Sequence, residues 1–135
     1  MPIVGSLARS IVNVIGMGGK VAAPTHLAGG AANAALMLAT AGLAAAYAPR
    51  GVRVNAVNTA MTMTERLAEG LAAEARMRKV SEEQVLRDAK QRMPLGRLAD
   101  PEDIANAVVF LSSSRAGYIS GAILSMDGAA MPIVV

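Results

Sequence analysis

A long stretch without charged side chains most constrains how this chain can fold. Residues 21–49 contain no Asp, Glu, Lys or Arg, and Lys20 and Arg50 flank the gap. A helix of about 20 apolar residues can cross a bilayer, so length alone permits a membrane span. Composition favours a buried helix of a soluble protein instead, because Pro24 and His26 open the stretch and alanine supplies much of the remainder.

Strand-like and helix-like segments alternate along the chain, which points to a parallel sheet. Runs of β-branched residues without polar alternation are typical of strands covered on both faces. The predicted strands are residues 10–16, 52–57 and 121–126, and the predicted helices are residues 31–48, 64–79, 81–93 and a fourth from Pro101. Strands alternating with helices imply right-handed crossovers. We therefore predict an α/β fold: a single domain over residues 1–135 with about three parallel strands and flanking helices, part of a larger doubly wound sheet.

Capping signals mark two helix starts. Asp100 precedes Pro101, a pattern that places an N-cap before a proline at the first helical position. Ser81 begins SEEQ, in which Gln84 could complete a capping box.

Helical spacing then predicts the apolar faces: Leu36, Leu43 and Tyr47 in the first helix, Leu67, Leu71 and Ala75 in the second, and Ile104, Val108 and Leu111 in the last.

Composition excludes several function classes. The chain has no cysteine, so disulfides and thiolate sites are excluded. The lack of cysteine also fits a reducing cytoplasm. We assign no metal site. The net charge is +3, but the basic residues are scattered and the aromatic residues are only Tyr47, Phe110 and Tyr118. A platform for stacking bases needs aromatic residues beside basic ones, so we expect no nucleic-acid partner.

Three phrases together carry a specific resemblance to a known family. They are AYAPRGVRVNAV (46–57), PLGRLADPEDIANAVVFLSS (94–113) and YISGAILSMDG (118–128). In this order and spacing they resemble the C-terminal half of the short-chain dehydrogenase/reductase family, from about Ser10 to Gly128. The resemblance implies a Rossmann-type fold, an NAD or NADP cofactor, hydride transfer at a carbonyl or alcohol, and dimers or tetramers built partly on the long helix.

The positions that carry catalysis in this family are all changed in this chain. The resemblance places Gly16 at the serine position, Gly29 at the tyrosine position and Asn33 at the lysine position. A tyrosine with a pKa near 10 needs a nearby cation to act as an acid or base at neutral pH. Because glycine has no side chain and asparagine no charge, we assign no catalytic residue. His26 and Lys20 are the alternatives for a relocated acid–base pair.

The cofactor contacts implied by the resemblance are few. Thr64 matches a threonine that lies near the nicotinamide amide, and Thr62 matches a position of backbone contacts to it; N-capping of the following helix is the structural alternative. GMGGKV, residues 16–21, ends in Val21 rather than glycine, and no acidic residue follows before Glu65. It therefore does not match a dinucleotide fingerprint.

Two functional hypotheses follow. The first is a short-chain dehydrogenase/reductase-like oxidoreductase, truncated and inactive as this chain, with doubtful cofactor binding of its own. The second is a non-catalytic interaction subunit that pairs with itself or a full-length relative through the 31–48 helix and an exposed sheet edge. For either we expect a cytoplasmic protein without a membrane partner. Leu67, Leu71, Met77 and Met93 could line an apolar substrate pocket or belong to the core.

Overall fold

Strands and helices alternate along the chain, as predicted. The computed structural model describes residues 9–134. The strands are β1 (Arg9–Gly16), β2 (Val52–Thr59) and β3 (Ile123–Met126), and the helices are α1 (Leu27–Tyr47), α2 (Glu65–Arg78), α3 (Glu82–Gln91) and α4 (Pro101–Ser112). Single 3₁₀ turns lie at residues 17–19, 24–26, 48–50 and 114–116.

The three strands form one parallel sheet in the order β1–β2–β3. Gly16 pairs with Thr59, and Thr59 pairs with Met126, so all three strands end at one edge. Ligands of open parallel sheets bind outside this edge. Within residues 9–134, β1 pairs on one side only, and its other side presents unpaired backbone groups.

Two apolar clusters hold the helices in place. The first joins α4 to β2 through Val57, Ile104, Leu111 and Ala116, with Val108 packed beside them. The second joins α2 and α3 through Leu71, Ala75, Val85 and Ala89, with Leu67 and Met93 at the same cluster. The predicted inner faces of α2 and α4 are therefore confirmed. Core packing accounts for Leu67 and Leu71, Met93 belongs to the core and also lines an apolar cleft, and Met77 is 81% exposed.

The first helix differs from its prediction in position and in buried face. It begins at Leu27, four residues before the predicted start, so Gly29 and Gly30 lie inside its first turns. Its buried side chains are Thr40 and Ala44, whereas the predicted apolar face is about 40% exposed at each leucine and at the tyrosine. The buried side chains of this helix are therefore small, and Thr40 contacts Asn13 of β1.

Smaller differences concern element ends and one cap. β2 continues to Thr59, two residues past its predicted end, β3 begins at residue 123 rather than 121, and α3 ends at residue 91. The segment predicted as loop after β1 contains a 3₁₀ turn. Ser81 accepts from the Gln84 N–H as predicted, but the Gln84 amide donates to Asp88 at 2.7 Å instead of reaching back.

One helical stretch, 24–50, meets the length and composition criteria for a membrane span. Its most apolar window has a mean hydropathy of 1.4 and is 11% buried. The core helix of a non-membrane protein passes the same test, so the criterion does not separate the two cases. The Asn13 amide donates to the Thr40 hydroxyl at 2.9 Å, which fixes α1 against the sheet through a polar contact.

Candidate active site

The structure brings two of the three changed positions into direct contact at the carboxyl end of β1. Gly16 is the last residue of the strand, and Asn33 lies in the second turn of α1. The Gly16 N–H donates to Asn33 Oδ1 at 3.1 Å. The contact between these two positions is therefore made by a backbone amide and a neutral side chain.

The Asn33 amide fills the volume that a side chain at position 16 would take. A Cβ built on Gly16 would lie 3.1 Å from Asn33 Nδ2, closer than ordinary van der Waals contact. A serine at position 16 would require the asparagine amide to shift by a few tenths of an ångström. The changes at positions 16 and 33 are therefore sterically coupled.

His26 fills the volume at position 29 in the same way. A Cβ built on Gly29 would overlap the His26 imidazole, and the ring also lies 3.3 Å from the Cβ position of Gly18. A tyrosine hydroxyl lies at the far end of its ring, well away from its own Cβ. The imidazole therefore occupies the space next to position 29 that the Cβ of a larger residue would need.

Lys20 points away from Asn33, toward the far side of the sheet. Its Nζ donates to Ser125 Oγ in β3 at 3.2 Å. Lys20 and His26 both line a hollow of about 320 Å³ beside the 3₁₀ turn, but no hydrogen bond joins them in the described part of the chain. The structure thus leaves the two alternative acid–base residues as separate, solvent-facing groups.

The glycines of GMGGK serve close packing. A Cβ at Gly19 would lie 2.8 Å from backbone atoms of Asn33 and Ala34, and a Cβ at Gly30 would lie 2.8 Å from the Gly18 carbonyl oxygen. Because these neighbours are backbone atoms, a larger residue cannot be accommodated by a side-chain rotation. The turn can lie directly on the first turns of α1 only where both surfaces lack side chains.

Thr64 and Thr62 follow β2 and have different surroundings. The Thr64 hydroxyl accepts from the Leu67 N–H at 3.3 Å and so caps α2, the structural alternative considered above. The Thr62 hydroxyl donates to the Ala60 carbonyl at 3.3 Å. Thr62 also forms an isolated parallel bridge with Ala99, in which the neighbouring residues make the hydrogen bonds. Within residues 9–134, the backbone N–H and C=O of Thr62 therefore remain available to a ligand.

Asn58 is a buried polar residue near this edge that sequence reasoning missed. Its side chain is fully buried, and its Nδ2 lies 2.9 Å from the Met17 sulfur. Asn58 Oδ1 is the one buried side-chain oxygen without a hydrogen-bond partner among the described residues. The strand also carries polar side chains at Arg53, Asn55 and Thr59, so no pattern in the sequence singled out Asn58 as buried.

An ion pair borders an apolar cleft beyond the ends of β2 and β3. The cleft has a volume of about 180 Å³, and its apolar lining includes Met61, Met93, Leu95 and Met126. Arg97 contacts Asp103 at 2.6 Å at its rim. Hydrogen bonds from Arg97 and from the Asp100 N–H lower the pKa of Asp103 to about 2. Within the described residues, no group of three or more His, Asp or Glu side chains could hold a metal ion.

The family assignment rests on a match along nearly the whole chain. A family model described as enoyl-(acyl carrier protein) reductase matches residues 3–129. The chain belongs to the short-chain dehydrogenase/reductase family. The resemblance seen in the sequence is therefore confirmed, and so is the partial Rossmann-type sheet.

Curated short-chain dehydrogenase/reductase relatives are similar to this chain over part of their length. A 2-(S)-hydroxypropyl-CoM dehydrogenase of Xanthobacter autotrophicus is 40% identical over 119 residues, covering 88% of this chain and 45% of that protein. A 3-oxoacyl-[acyl-carrier-protein] reductase of Aquifex aeolicus is 34% identical, covering 88% of this chain and 42% of that protein. The chain therefore spans less than half the length of either relative.

A solved short-chain dehydrogenase structure shows the same architecture. The protein from Francisella tularensis matches with a TM-score of 0.87 at 26% identity, covering 91% of this chain and 51% of that one. The resemblance assigns the catalytic positions of the family to Gly16, Gly29 and Asn33, and the structure shows a hydrogen bond between the first and the last of these residues.

Proposed function

We propose that this chain is the C-terminal, substrate-side half of a short-chain dehydrogenase/reductase-like oxidoreductase and that it lacks the family's proton-transfer group. The single observation that carries the proposal is the contact between Gly16 and Asn33. Neither partner in that contact carries a hydroxyl or an ammonium that could deliver a proton to a developing alkoxide. General acid–base catalysis typically contributes 10²–10⁴-fold to a rate, so we expect no hydride transfer by the family mechanism from this chain.

The part of a cofactor site that this chain contains fits the nicotinamide end of NAD or NADP. The unpaired backbone groups of Thr62 suit the carboxamide of such a ring, whereas Thr64 is held by its capping role. When bound, this cofactor supplies the hydride or accepts it. The turn at 17–19 packs on α1 and offers no cradle for phosphates, so cofactor binding by this chain alone should be slight.

Cofactor titration and turnover test this proposal directly. We expect that NADH or NADPH fluorescence will show no saturable micromolar binding to the purified chain. We also expect no coenzyme oxidation with a panel of ketones. Ketone reduction that disappears in His26→Ala or Lys20→Ala would overturn the proposal, because a relocated acid–base group would then be at work. An unchanged background rate in both variants supports it.

The alternative function is association with a second copy or a full-length relative through α1. The outer face of this helix is apolar: Leu38 is 79% exposed and Leu27 is 62% exposed. The unpaired side of β1 offers a second surface, because its edge can extend a sheet. We also propose that the protein is cytoplasmic. A partner that covers the apolar face of α1 would explain how this helix remains in water without a membrane.

Size-exclusion chromatography with light scattering distinguishes this alternative. We expect a defined dimer or larger assembly that dissociates when Leu38→Glu places a charge on the outer face. Met77→Glu is the matched control, because Met77 is equally exposed but lies on α2. A stable monomer at all concentrations would count against the alternative, and solubility only in detergent would favour the membrane hypothesis.

A further inference from the structure

The free side of β1 is an apolar edge with a single charge at its end. Ile11 is 48% exposed and Val14 is 58% exposed, and side-chain alternation places them on opposite faces of the sheet. Within the described range 9–134 no strand pairs with this side, and Arg9 is the one charged residue of β1. Sheets usually protect an edge with inward charges, prolines or a covering element, so this edge favours pairing with a further strand.

The first helix turns different residues toward the two sides of the sheet. Thr40 faces β1, because its hydroxyl accepts from the Asn13 amide at 2.9 Å. Ala44 faces the opposite side, because its Cβ lies 3.5 Å from the position that a Cβ would take at Gly121, just before β3. The surface of α1 that continues past Thr40, away from Ala44, therefore lies above the free side of β1.

The large apolar residues of α1 lie on that surface. Its half-buried members are Leu36, Leu43 and Tyr47. At about 100° per residue they fall within about 40° of one another, on the β1 side of Thr40. Leu43 and Tyr47 also line a groove of about 380 Å³ together with Ile11 of β1. Helix and strand thus present one continuous apolar surface at the free side of the sheet.

We propose that a second copy of this chain covers this surface, with the two β1 strands paired antiparallel about Asn13. The inference rests on the alternative function, association through α1 and the edge of β1, and it names the partner and the register. A two-fold axis perpendicular to the sheet closes the contact, because each copy offers the same edge. Head-to-tail pairing of β3 with β1 would leave a free edge at each end instead.

The sequence of β1 favours this register over its neighbour. Opposed residues of an antiparallel pair point to the same face of the sheet, so their side chains meet. With the centre at Asn13, Ile11 lies opposite the partner's Ile15, and Val12 lies opposite the partner's Val14. With the centre at Val12, Ile11 would instead lie opposite the partner's Asn13, an apolar side chain against a polar one.

The same axis brings the two α1 helices together. Strands lie about 4.8 Å apart, so a helix above β1 and β2 lies about 5 Å from the axis, and two such helices lie about 10 Å apart. α1 contacts both of these strands, and helices pack at distances of about 8–10 Å. Residues 21–49 contain no Asp, Glu, Lys or Arg, so no like charges meet at this contact.

Strand and helix select the same axis, and this agreement identifies the occupant. The hydrogen bond from Asn13 places Thr40 near the axis. Leu36 lies four residues before Thr40 and Leu43 three residues after it, so Leu36 faces the partner's Leu43. An unrelated strand would cover the edge of β1 but leave the helix face exposed, whereas a second copy covers both.

Introduced cysteines test the register, because the chain has none of its own. Val12→Cys and Val14→Cys are prepared as separate chains that differ in a purification tag. In the inferred register Val12 lies opposite the partner's Val14, with Cα atoms about 4.5–5.5 Å apart, a distance that a disulfide spans. In either variant alone, the two cysteines are displaced by two residues along the strand, which puts their Cα atoms more than about 7 Å apart.

The two variants are mixed in reducing buffer and then oxidised with glutathione disulfide. We expect disulfide-linked dimers that carry one chain of each kind, and no more than a trace of dimer when either variant is oxidised alone. Efficient cross-linking of Val12→Cys by itself would show a pair centred on Val12 and would overturn the register. Absence of cross-links in the mixture would overturn the pairing of β1 with β1.

Light scattering after size-exclusion chromatography tests the surface in the full chain. We expect a dimer whose dissociation constant rises about a hundredfold in Leu43→Glu, which places a charge between the two helices. Leu38→Glu is the matched control, because Leu38 lies on another face of α1. Circular dichroism confirms that each variant is folded.

The outcomes separate this inference from the proposed functions. A dimer that persists in Leu38→Glu and dissociates in Leu43→Glu supports it, and a larger assembly built on Leu38 should fall back to this dimer. A native monomer at all concentrations, or a dimer that only Leu38→Glu dissociates, would overturn it. Neither experiment involves NAD or NADP, whose binding and turnover test the proposed loss of proton transfer alone.

Discussion

Arg53 Nη1 donates to the carbonyl oxygen of Leu111 at 2.7 Å, joining the middle strand to the end of α4. The same guanidinium donates to the carbonyls of Ser113 at 3.1 Å and Ile119 at 3.3 Å. The last carbonyls of a helix have no partner within the helix, and they favour a cation. Arg53 thus fixes α4 and the turn before β3 against β2, and so helps to set the sheet edge where the site lies.

Arg53→Ala should therefore destabilise the chain more than substitutions of other half-buried residues do. Hydrogen bonds to a charged group typically contribute 1.5–3 kcal/mol, and the substitution leaves three carbonyls without this donor. We expect the free energy of unfolding, measured by urea titration with circular dichroism, to fall by about 2–3 kcal/mol. Arg115→Ala is the control, because Arg115 is exposed and makes no hydrogen bond among the described residues. Equal effects in both variants would contradict the role given to Arg53.

Two glycines of α1 should respond in opposite directions to alanine. At Gly30 the new Cβ would lie 2.8 Å from the Gly18 carbonyl oxygen, a backbone atom that cannot turn aside. We expect Gly30→Ala to cost about 1–3 kcal/mol of unfolding free energy. At Gly42 nothing lies within 4 Å, so Gly42→Ala should raise the unfolding free energy by about 0.5–1 kcal/mol through helix propensity. An unfolding free energy of Gly30→Ala equal to that of the native chain would mean that the turn after β1 does not pack against α1.

The sequence predicted the elements that depend on local pattern. Asp100 and Pro101 predicted the start of α4, and the helix does begin at Pro101 with Asp100 as its N-cap. Apolar spacing gave the inner faces of α2 and α4 correctly. The start of α1 was predicted four residues late, because a glycine pair usually weakens a helix. Here the pair lies within the helix because its missing side chains admit the turn after β1.

The site could be located from the sequence, but its contacts could not be predicted. The resemblance of the sequence to the family assigned the serine, tyrosine and lysine positions to Gly16, Gly29 and Asn33, by spacing alone. It did not show that the amide of Asn33 and the ring of His26 would enter the spaces left by two glycines, since both contacts depend on the approach of β1 to α1. Asn58 was missed because its burial depends on Met17, far away in sequence.

Gly29→Ala should displace a side chain without unfolding the helix. The three atoms nearest to the added Cβ all belong to the imidazole of His26, an exposed terminal group that can rotate into solvent. Alanine favours a helix by about 1 kcal/mol over glycine, so the gain in unfolding free energy should be partly offset by lost ring contacts. The same substitution in a His26→Ala background should give the full gain. Nuclear Overhauser contacts between His26 and Gly18 should disappear in Gly29→Ala; their persistence would contradict the packing described here.

Asp103 should give the chain a stabilising contribution that disappears in acid. Arg97 and the Asp100 N–H hold its pKa at about 2, below the value near 3.9 expected for an unfolded chain. Since the folded-state pKa is the lower one, the contribution is complete above about pH 4 and is lost as the pH falls through about 2. The thermal midpoint of the native chain should therefore exceed that of Asp103→Asn near neutrality, and the gap should close between pH 4 and 2. Glu102→Gln is the control: Glu102 is an exposed neighbour, so the difference between its thermal midpoint and that of the native chain should not change with pH in this range. If the thermal midpoints of the native and Asp103→Asn proteins differ by the same amount from pH 4 to pH 2, the proposed linkage is wrong.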